Sequence, residues 1–469
     1  MQTLKNYIDG AWVPAVSGQT LEARSPLDGE TYALFPASGI ADADTAVTAA
    51  RTAQAAWAAL PLDERLTQLH AFADSIERRA EAIAEAEHRE MGKPVPVAMQ
   101  FIGAGLAAFR GALAGAREYE FLSRTEGRNG VTEIHRTPLG VVAEIVPWNF
   151  TVPQTLINLG ALLAAGNTVI VKPSERATPS AAMLFEDLDL PAGVLNLLLG
   201  DGSAGRALSE HTGIDLVVFT GSVPAGRSVA MAAGQNLNRV ILELGGKDAA
   251  IVDAGVDVQA VAMDVAAGSF LNSGQICTSM ERIYVHRDIA DEFVRALSEA
   301  SAVFAEGGPM AIGPLVDEKQ LDLVHEHVSD AIERGAEAVV GGARSGSGSY
   351  YPPTILVGIT PEMRIARDET FGPVAPIAIV DSFDEALDRA RDTPFGLAAT
   401  VYSDDDVHLA KARSLPVSSL WINGWQGSDG VRESEPSGIS GMGAVGGRRS
   451  FDAATRPTTV FFPHPQAKE

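Results

Sequence analysis

The sequence holds a single cysteine, Cys277, in the stretch NSGQICTS at residues 272–279. A thiol with no second cysteine cannot close an internal disulfide, so it is either small apolar packing or a reactive group. Gly274 and the small polar residues around it suit a turn where the backbone comes close to a ligand. A helix-like apolar pattern (Val261, Val265, Gly268, Phe270, Leu271) leads in, and the β-branched run 283–285 leads out. The thiol therefore falls in a connection between elements, where reactive groups gather.

Four further stretches carry residue types that do chemistry. Residues 147–150 read PWNF after an apolar run; Asn149 offers a neutral donor of the kind an oxyanion site uses, or is a turn asparagine. Residues 172–175 read KPSE, leaving Lys172 and Glu175 at the carboxyl end of a buried strand, where open α/β sheets bind ligands. A lysine there can reach a ribose hydroxyl or a phosphate and a carboxylate can accept from a ribose diol; both can equally be solvated loop charges. Residues 219–227 read FTGSVPAGR, a strand end, a glycine turn and a helix start whose N–H groups can hold a phosphate. The G-x-G-x-x-G fingerprint is absent, so a plain strand–turn–helix connection fits as well. Residues 243–247 read ELGGK; a carboxylate closing a buried strand needs either a role or a partner, so Glu243 is a functional group, a cap or an ion-paired glutamate.

The elements that must position these residues follow from periodicity. Residues 5–35 predict short strands with turns at Asp9-Gly10 and Asp28-Gly29. Helices are predicted at about 42–60, 63–90 and 97–120. The polar stretch 121–138 predicts a protruding strand. From 141 onward strands at 141–146, 168–171, 195–199, 216–219 and 240–242 alternate with helical stretches, as a parallel sheet covered by helices requires. A second cycle, with strands at 249–252, 283–285, 338–340, 375–380 and 398–402, predicts a second α/β domain. The apolar strand 458–462 lies outside both and needs a partner, either 131–137 or another subunit.

Composition sets limits. Against 36 basic residues stand 60 acidic ones, a net charge of −24, which repels nucleic acid and anionic membranes. An apolar fraction of 46% over 469 residues suffices for two or three cored domains. The apolar region 155–171 reads as a buried helix and strand, because Asn158 and Asn167 interrupt it. The start lacks a signal-peptide pattern, and with so few thiols a cytoplasmic location is expected.

Taken together and in this order, PWNF, KPSE, FTGS, ELGGK, GQIC and the stretch DETFGPV at 368–374 resemble the NAD(P)-dependent aldehyde dehydrogenase superfamily, over almost the whole chain. The resemblance implies an α/β fold with two doubly wound α/β domains and a small β oligomerisation element. The dinucleotide-binding domain would take residues 1–120 and 139–245, the catalytic domain 246–450, and the oligomerisation element 121–138 and 451–469. It implies Cys277 as nucleophile, Asn149 and the Cys277 N–H as oxyanion donors, and Glu243 as the base that activates water against a thioester. The implied cofactor is NAD, with NADP compatible, and no metal. Trp148, Lys172, Glu175, Gly221, Ser222, Gly226, Leu244, Glu369 and Phe371 would line its site. The implied partners are a small aldehyde substrate and further copies of the chain, as a homodimer or homotetramer, with no nucleic acid or membrane.

The chain departs from the family pattern in places. Asn158 stands where many members carry lysine, Asp248-Ala249 follows ELGGK, the helix after KPSE is about a turn short, and residues 437–447 lack a lysine. Two rival readings remain at this level. One is a coenzyme A-acylating dehydrogenase, which generally lacks the glutamate present here as Glu243; the other is a non-enzymatic protein that keeps the fold. The substrate is open: Phe150, Ile276, Thr278 and the loop with Trp425 and Arg432 are expected around it.

Overall fold

A computed structural model describes residues 2–308, 310–345, 348–427 and 433–464. Two sheets dominate. The first has eight strands in the spatial order Gly441–Met442, Arg239–Glu243, Leu216–Thr220, Val141–Val146, Thr168–Pro173, Leu195–Leu197, Asn6–Ile8 and Ala11–Val13. Its five inner strands are parallel and its outer ones antiparallel. Every residue of Val141–Val146 and Thr168–Pro173 is buried, as continuous apolar strands covered on both faces must be. Helix Thr151–Ala164 lies on one face, where Leu156, Leu159 and Leu163 meet Val142, Val146, Val218 and Ile241. Ile145, Phe219 and Leu242 point to the opposite core, as strand alternation requires.

The second sheet has seven strands, ordered Glu337–Val340, Thr354–Val357, Val374–Val380, Met280–His286, Asp248–Val252, Ala398–Tyr402 and Ser419–Ile422. All pairings but the first are parallel. The third element is a three-stranded antiparallel sheet, Thr455–Pro463, Gly130–Pro138 and Leu122–Gly127. The fold is thus α/β, with two doubly wound sheets and a small β element. The stretch expected as one protruding strand is a hairpin, and its partner is the terminal strand, in the register Thr455 to Pro138.

Three elements differ from expectation. The helix expected at 63–90 is two, Leu62–Glu77 and Ala80–Met91. No glycine or proline marks the break; the Arg79 guanidinium donates back to Ser75 O at 3.0 Å and engages Met183 O of a distant segment, so tertiary contacts set it. Strands Thr354–Val357 and Ser419–Ile422, four residues each, are too short to show a period and exist through their neighbours in the sheet. Helix Val95–Glu118 is long and apolar enough to cross a membrane. Here Ile102, Leu106, Phe109 and Leu113 bury its face in the core, and Gly105 and Gly160 let it approach helix Thr151–Ala164 backbone to backbone.

Candidate active site

The cysteine sits in a strained turn. Helix Val258–Phe270 ends, and Asn272, Ser273 and Gly274 then take φ values of 52, 58 and 69°. Only glycine fits the third place, since a Cβ on Gly274 would lie 2.0 Å from Gly372 O. A local network stabilises the turn: Asn272 Nδ2 donates to Gln275 O at 3.1 Å, Gln275 Nε2 donates to Asn272 O at 3.2 Å, and Val316 N donates to Gln275 Oε1 at 2.9 Å. The turn leaves Cys277 half-buried on the wall of a cleft of about 950 Å³.

Asn149 reaches this turn from the other sheet. It stands just beyond strand Val141–Val146, is 5% exposed, and its Nδ2 donates to Gln275 O at 3.0 Å. Fixing one N–H on that carbonyl orients the amide beside the cysteine turn. Glu243 closes strand Arg239–Glu243, in register with Thr220 on one side and Gly441 on the other, and faces the same cleft.

Beyond Glu243 the chain leaves the sheet through glycines held at close quarters. A Cβ on Gly245 would lie 2.4 Å from Glu369 Oε2, and Glu369 Oε1 accepts from Gly246 N at 3.0 Å. Burial, and then the charge of Glu281, push the Glu369 carboxyl up to about 8. Glu281 in turn accepts from the backbone N–H groups of Thr370 and Phe371, both at 2.7 Å, and pairs with buried Lys247 at 2.6 Å. The Phe371 ring meets Trp148 edge-on at 5.7 Å, and Gln320 Nε2 donates to the carbonyls of Thr370 and Phe371.

The far end of the cleft is made by the carboxyl ends of the first sheet. Lys172 is 3% exposed; burial lowers its pKa while Glu175 and Asp201 pull it back up. Gly221 and Ser222 form the strand–helix turn, and Ser222 is the N-cap of helix Val223–Gln235, with Pro224 in its first turn. These residues fit a dinucleotide in shape and chemistry. A buried cation and a carboxylate stand at one end, exposed helix-start N–H groups in the middle, and an aromatic and a carboxylate near the thiol.

Trp148, Lys172, Glu175, Gly221, Ser222, Leu244, Glu369 and Phe371 all line the cleft with Asn149, Glu243 and Cys277. Gly226 differs. It is buried one turn into its helix, where a Cβ would lie 2.4 Å from Leu244 Cδ2, so its lack of a side chain serves close helix–strand packing. Trp425 donates through Nε1 to Thr278 O at 3.0 Å and so stands beside the cysteine turn, while Arg432 lies outside the described residues.

The pattern of the aldehyde dehydrogenase family matches residues 12–460. The chain belongs to that family. Among curated relatives, the mitochondrial aldehyde dehydrogenase of Leishmania tarentolae is 35% identical over 474 residues, covering 98% of this chain and 94% of that protein. Among solved structures, the NAD-dependent aldehyde dehydrogenase from Sinorhizobium meliloti has a TM-score of 0.95 at 34% identity, over 100% of this chain and 96% of that one. An indole-3-acetaldehyde dehydrogenase complexed with NAD+ has a TM-score of 0.92 at 35% identity, over 98% and 97% of the two chains. This aldehyde dehydrogenase is therefore an enzyme that oxidises an aldehyde and takes NAD(P).

Motif reading passed over the supports of the site. Glu281 and Gln320 hold the 369–371 segment by side chain to backbone, a role that leaves no local signature in sequence. Arg206, on the cleft wall, sits in an amphipathic helix with nothing in the neighbouring sequence that marks a site.

Proposed function

We propose that this aldehyde dehydrogenase is hydrolytic, converting an aldehyde to a carboxylic acid in two half-reactions on Cys277. The observation that carries this is the meeting of Cys277, Asn149 and Glu243, from three separate elements, around one cleft. The Cys277 thiolate attacks the aldehyde carbon and the carbonyl oxygen becomes an oxyanion. Asn149 spends one Nδ2 hydrogen on Gln275 O and keeps the second for that oxyanion, together with the Cys277 N–H. Bound NAD(P) supplies the hydride acceptor. Lys172 and Glu175 hold the adenosine ribose, Gly221 and Ser222 the pyrophosphate, and Trp148, Leu244, Glu369 and Phe371 the nicotinamide end. Loss of hydride from the adduct leaves a thioester on Cys277. Glu243 then takes a proton from water as its oxygen attacks the thioester, and the thiol is released with the acid.

The test is Glu243→Gln assayed with NAD and a panel of aldehydes. The expected result is a burst of NADH near one per active site, slow turnover afterwards, and an acyl adduct on Cys277 by mass spectrometry. Steady turnover at the wild-type rate with no trapped adduct would place the base elsewhere. NAD is favoured over NADP, because the Glu175 carboxylate accepts from a 2′-hydroxyl and repels a 2′-phosphate. A kcat/KM with NADP equal to or above that with NAD would refute this.

Residues 1–120 and 139–245 form the dinucleotide-binding domain of this reading, 246–450 the catalytic domain, and 121–138 with 451–469 the oligomerisation element. The three-stranded sheet supports a homodimer or homotetramer: Phe461 and Phe462, about half exposed, sit on its edge strand Thr455–Pro463. A monomeric mass by light scattering would refute assembly through that edge. A cytoplasmic location fits the scarcity of thiols, and fractionation showing the protein in an oxidising compartment would contradict it.

A further inference from the structure

Behind Glu243 lies a polar cluster that the reaction as described does not use. Glu144 sits in the middle of a strand of the first sheet that is buried at every residue, and is itself 0% exposed. It faces helix Thr151–Ala164, with Val142 and Val146 on either side in the apolar core. Among the described residues, no cation stands against it. Burial raises its carboxyl well above the ordinary range and Asn158, on the covering helix, pulls it partly back; the direction favours the protonated form, which donates a hydrogen bond as well as accepting one. Both Glu144 carboxyl oxygens, Asn158 Nδ2 and Thr220 Oγ1 are buried polar atoms with no partner within hydrogen-bond geometry among the described residues. Such atoms are few in native structures and each calls for a cause.

The register connects them to the active site. Glu144 pairs with Val218, and Thr220 is two residues further along that strand on the same face. Such a diagonal places Cα atoms roughly 8 Å apart, within reach of a glutamate. Thr220 is in turn directly opposite Glu243. Asn158, Glu144, Thr220 and Glu243 therefore form a continuous line on one face of the sheet, running from the covering helix to the cleft. A bridging water suits the first gaps, since each atom there is polar and otherwise unmatched.

We propose that Glu144, held by Asn158 and acting through the Thr220 hydroxyl, is a positioning residue that fixes the Glu243 carboxylate for the deacylation step. Glu144 donates towards Thr220 Oγ1, which frees the Thr220 hydroxyl hydrogen to point at Glu243. This rests on Glu243 being the deacylation base.

The experiment measures the NADH burst and the steady-state rate of the full-length enzyme with saturating NAD and one good aldehyde. Glu144→Leu is expected to leave the burst at one per site and within about twofold of the wild-type rate, while the steady rate falls about tenfold, the usual scale for losing an orienting partner. Glu144→Gln, which still donates and accepts, is expected to restore the steady rate to within about twofold of wild type. Asn158→Leu removes the orienting amide alone, and about a threefold loss of steady rate is expected from that weaker change. A fall in burst and steady rate together, no change in either, or a Glu144→Gln enzyme as slow as Glu144→Leu would overturn the positioning role. Should Glu144→Leu fail to fold, unchanged deacylation in both Asn158→Leu and Glu144→Gln would overturn it as well. The Glu243→Gln trap separates the two readings: without a trapped adduct the base assignment falls and takes this inference with it, whereas with the adduct present the Glu144 results bear on positioning alone.

Discussion

The two walls of the cleft are built on opposite principles. On the first-sheet wall, Asn149, Lys172 and Glu243 stand at or just beyond the carboxyl ends of parallel strands, and regular pairing aims them. On the other wall, Cys277 and the 369–371 segment lie in irregular backbone, where Asn272, Ser273 and Phe371 have positive φ. There a dense set of side chain to backbone bonds does what strand pairing does opposite. The buried acids show the same contrast. Glu281 is matched by Lys247 and two backbone N–H groups, whereas neither Glu144 oxygen has a hydrogen-bond partner among the described residues. Regular structure supplies position without polar fasteners, so a polar group left inside it is free for other work; irregular structure consumes its polar groups to hold its shape.

The largest expected effect tests which wall carries the chemistry. Cys277→Ser should remove dehydrogenase turnover while NAD binding, proposed to rest mainly on the first wall, stays within about threefold by calorimetry. Asn149→Ala, the first wall's contribution to the chemical step, should cost roughly a hundredfold to a thousandfold in kcat. More than a few per cent of the wild-type rate in Cys277→Ser would reverse the division, and an Asn149→Ala effect confined to aldehyde KM would make that residue a binding group.

Next in size is the fastening of the second wall. Lys247→Met leaves the Glu281 carboxylate buried without its cation, and breaking such a pair should destabilise the fold by about 3–5 kcal/mol. Because Glu281 also holds the Thr370 and Phe371 N–H groups, NAD affinity should fall in the same variant. A denaturation midpoint unchanged from wild type would show that this wall does not depend on its polar network.

The smallest effect concerns Glu144. Its folded-state pKa lies above its ordinary 4.5, so above that pH the folded protein keeps a proton that the unfolded chain has released. Stability from this group is complete below the unfolded value and is lost as pH rises towards the folded one. Glu144→Leu lacks this loss. Its melting temperature relative to wild type should therefore rise as pH is raised above the ordinary carboxyl range, with Glu90, Asp248 and Glu369 unchanged in both proteins. A difference that is flat with pH would mean Glu144 is ionised in the fold, in contrast to its surroundings as described.

Much of this molecule was legible because its chemistry is anchored at places with strong local signals. Lys172, Glu175 and Glu243 follow β-branched runs that announce buried parallel strands, and Cys277 stands out as the lone thiol after a glycine-bearing turn. The elements that escaped reading are those defined by partners. Thr354–Val357 and Ser419–Ile422 are too short to carry a period, and the break before Ala80 comes from Arg79 reaching a distant carbonyl.

The amino-acid sequence by itself determined the two α/β cycles, the order of the strands along the chain, and the residue types available at strand ends, because hydrophobic period and turn chemistry are local properties. Tertiary structure alone decided that Asn149 donates to the Gln275 carbonyl of the cysteine turn across 126 positions of sequence, that Glu281 holds the segment carrying Phe371, and that Gly226 packs on Leu244. It also decided that Glu144, unremarkable in an apolar run, lies in line with Glu243. Such relations arise when separate strands are brought into register, and register is fixed by the burial of whole faces, which no single stretch of chain encodes.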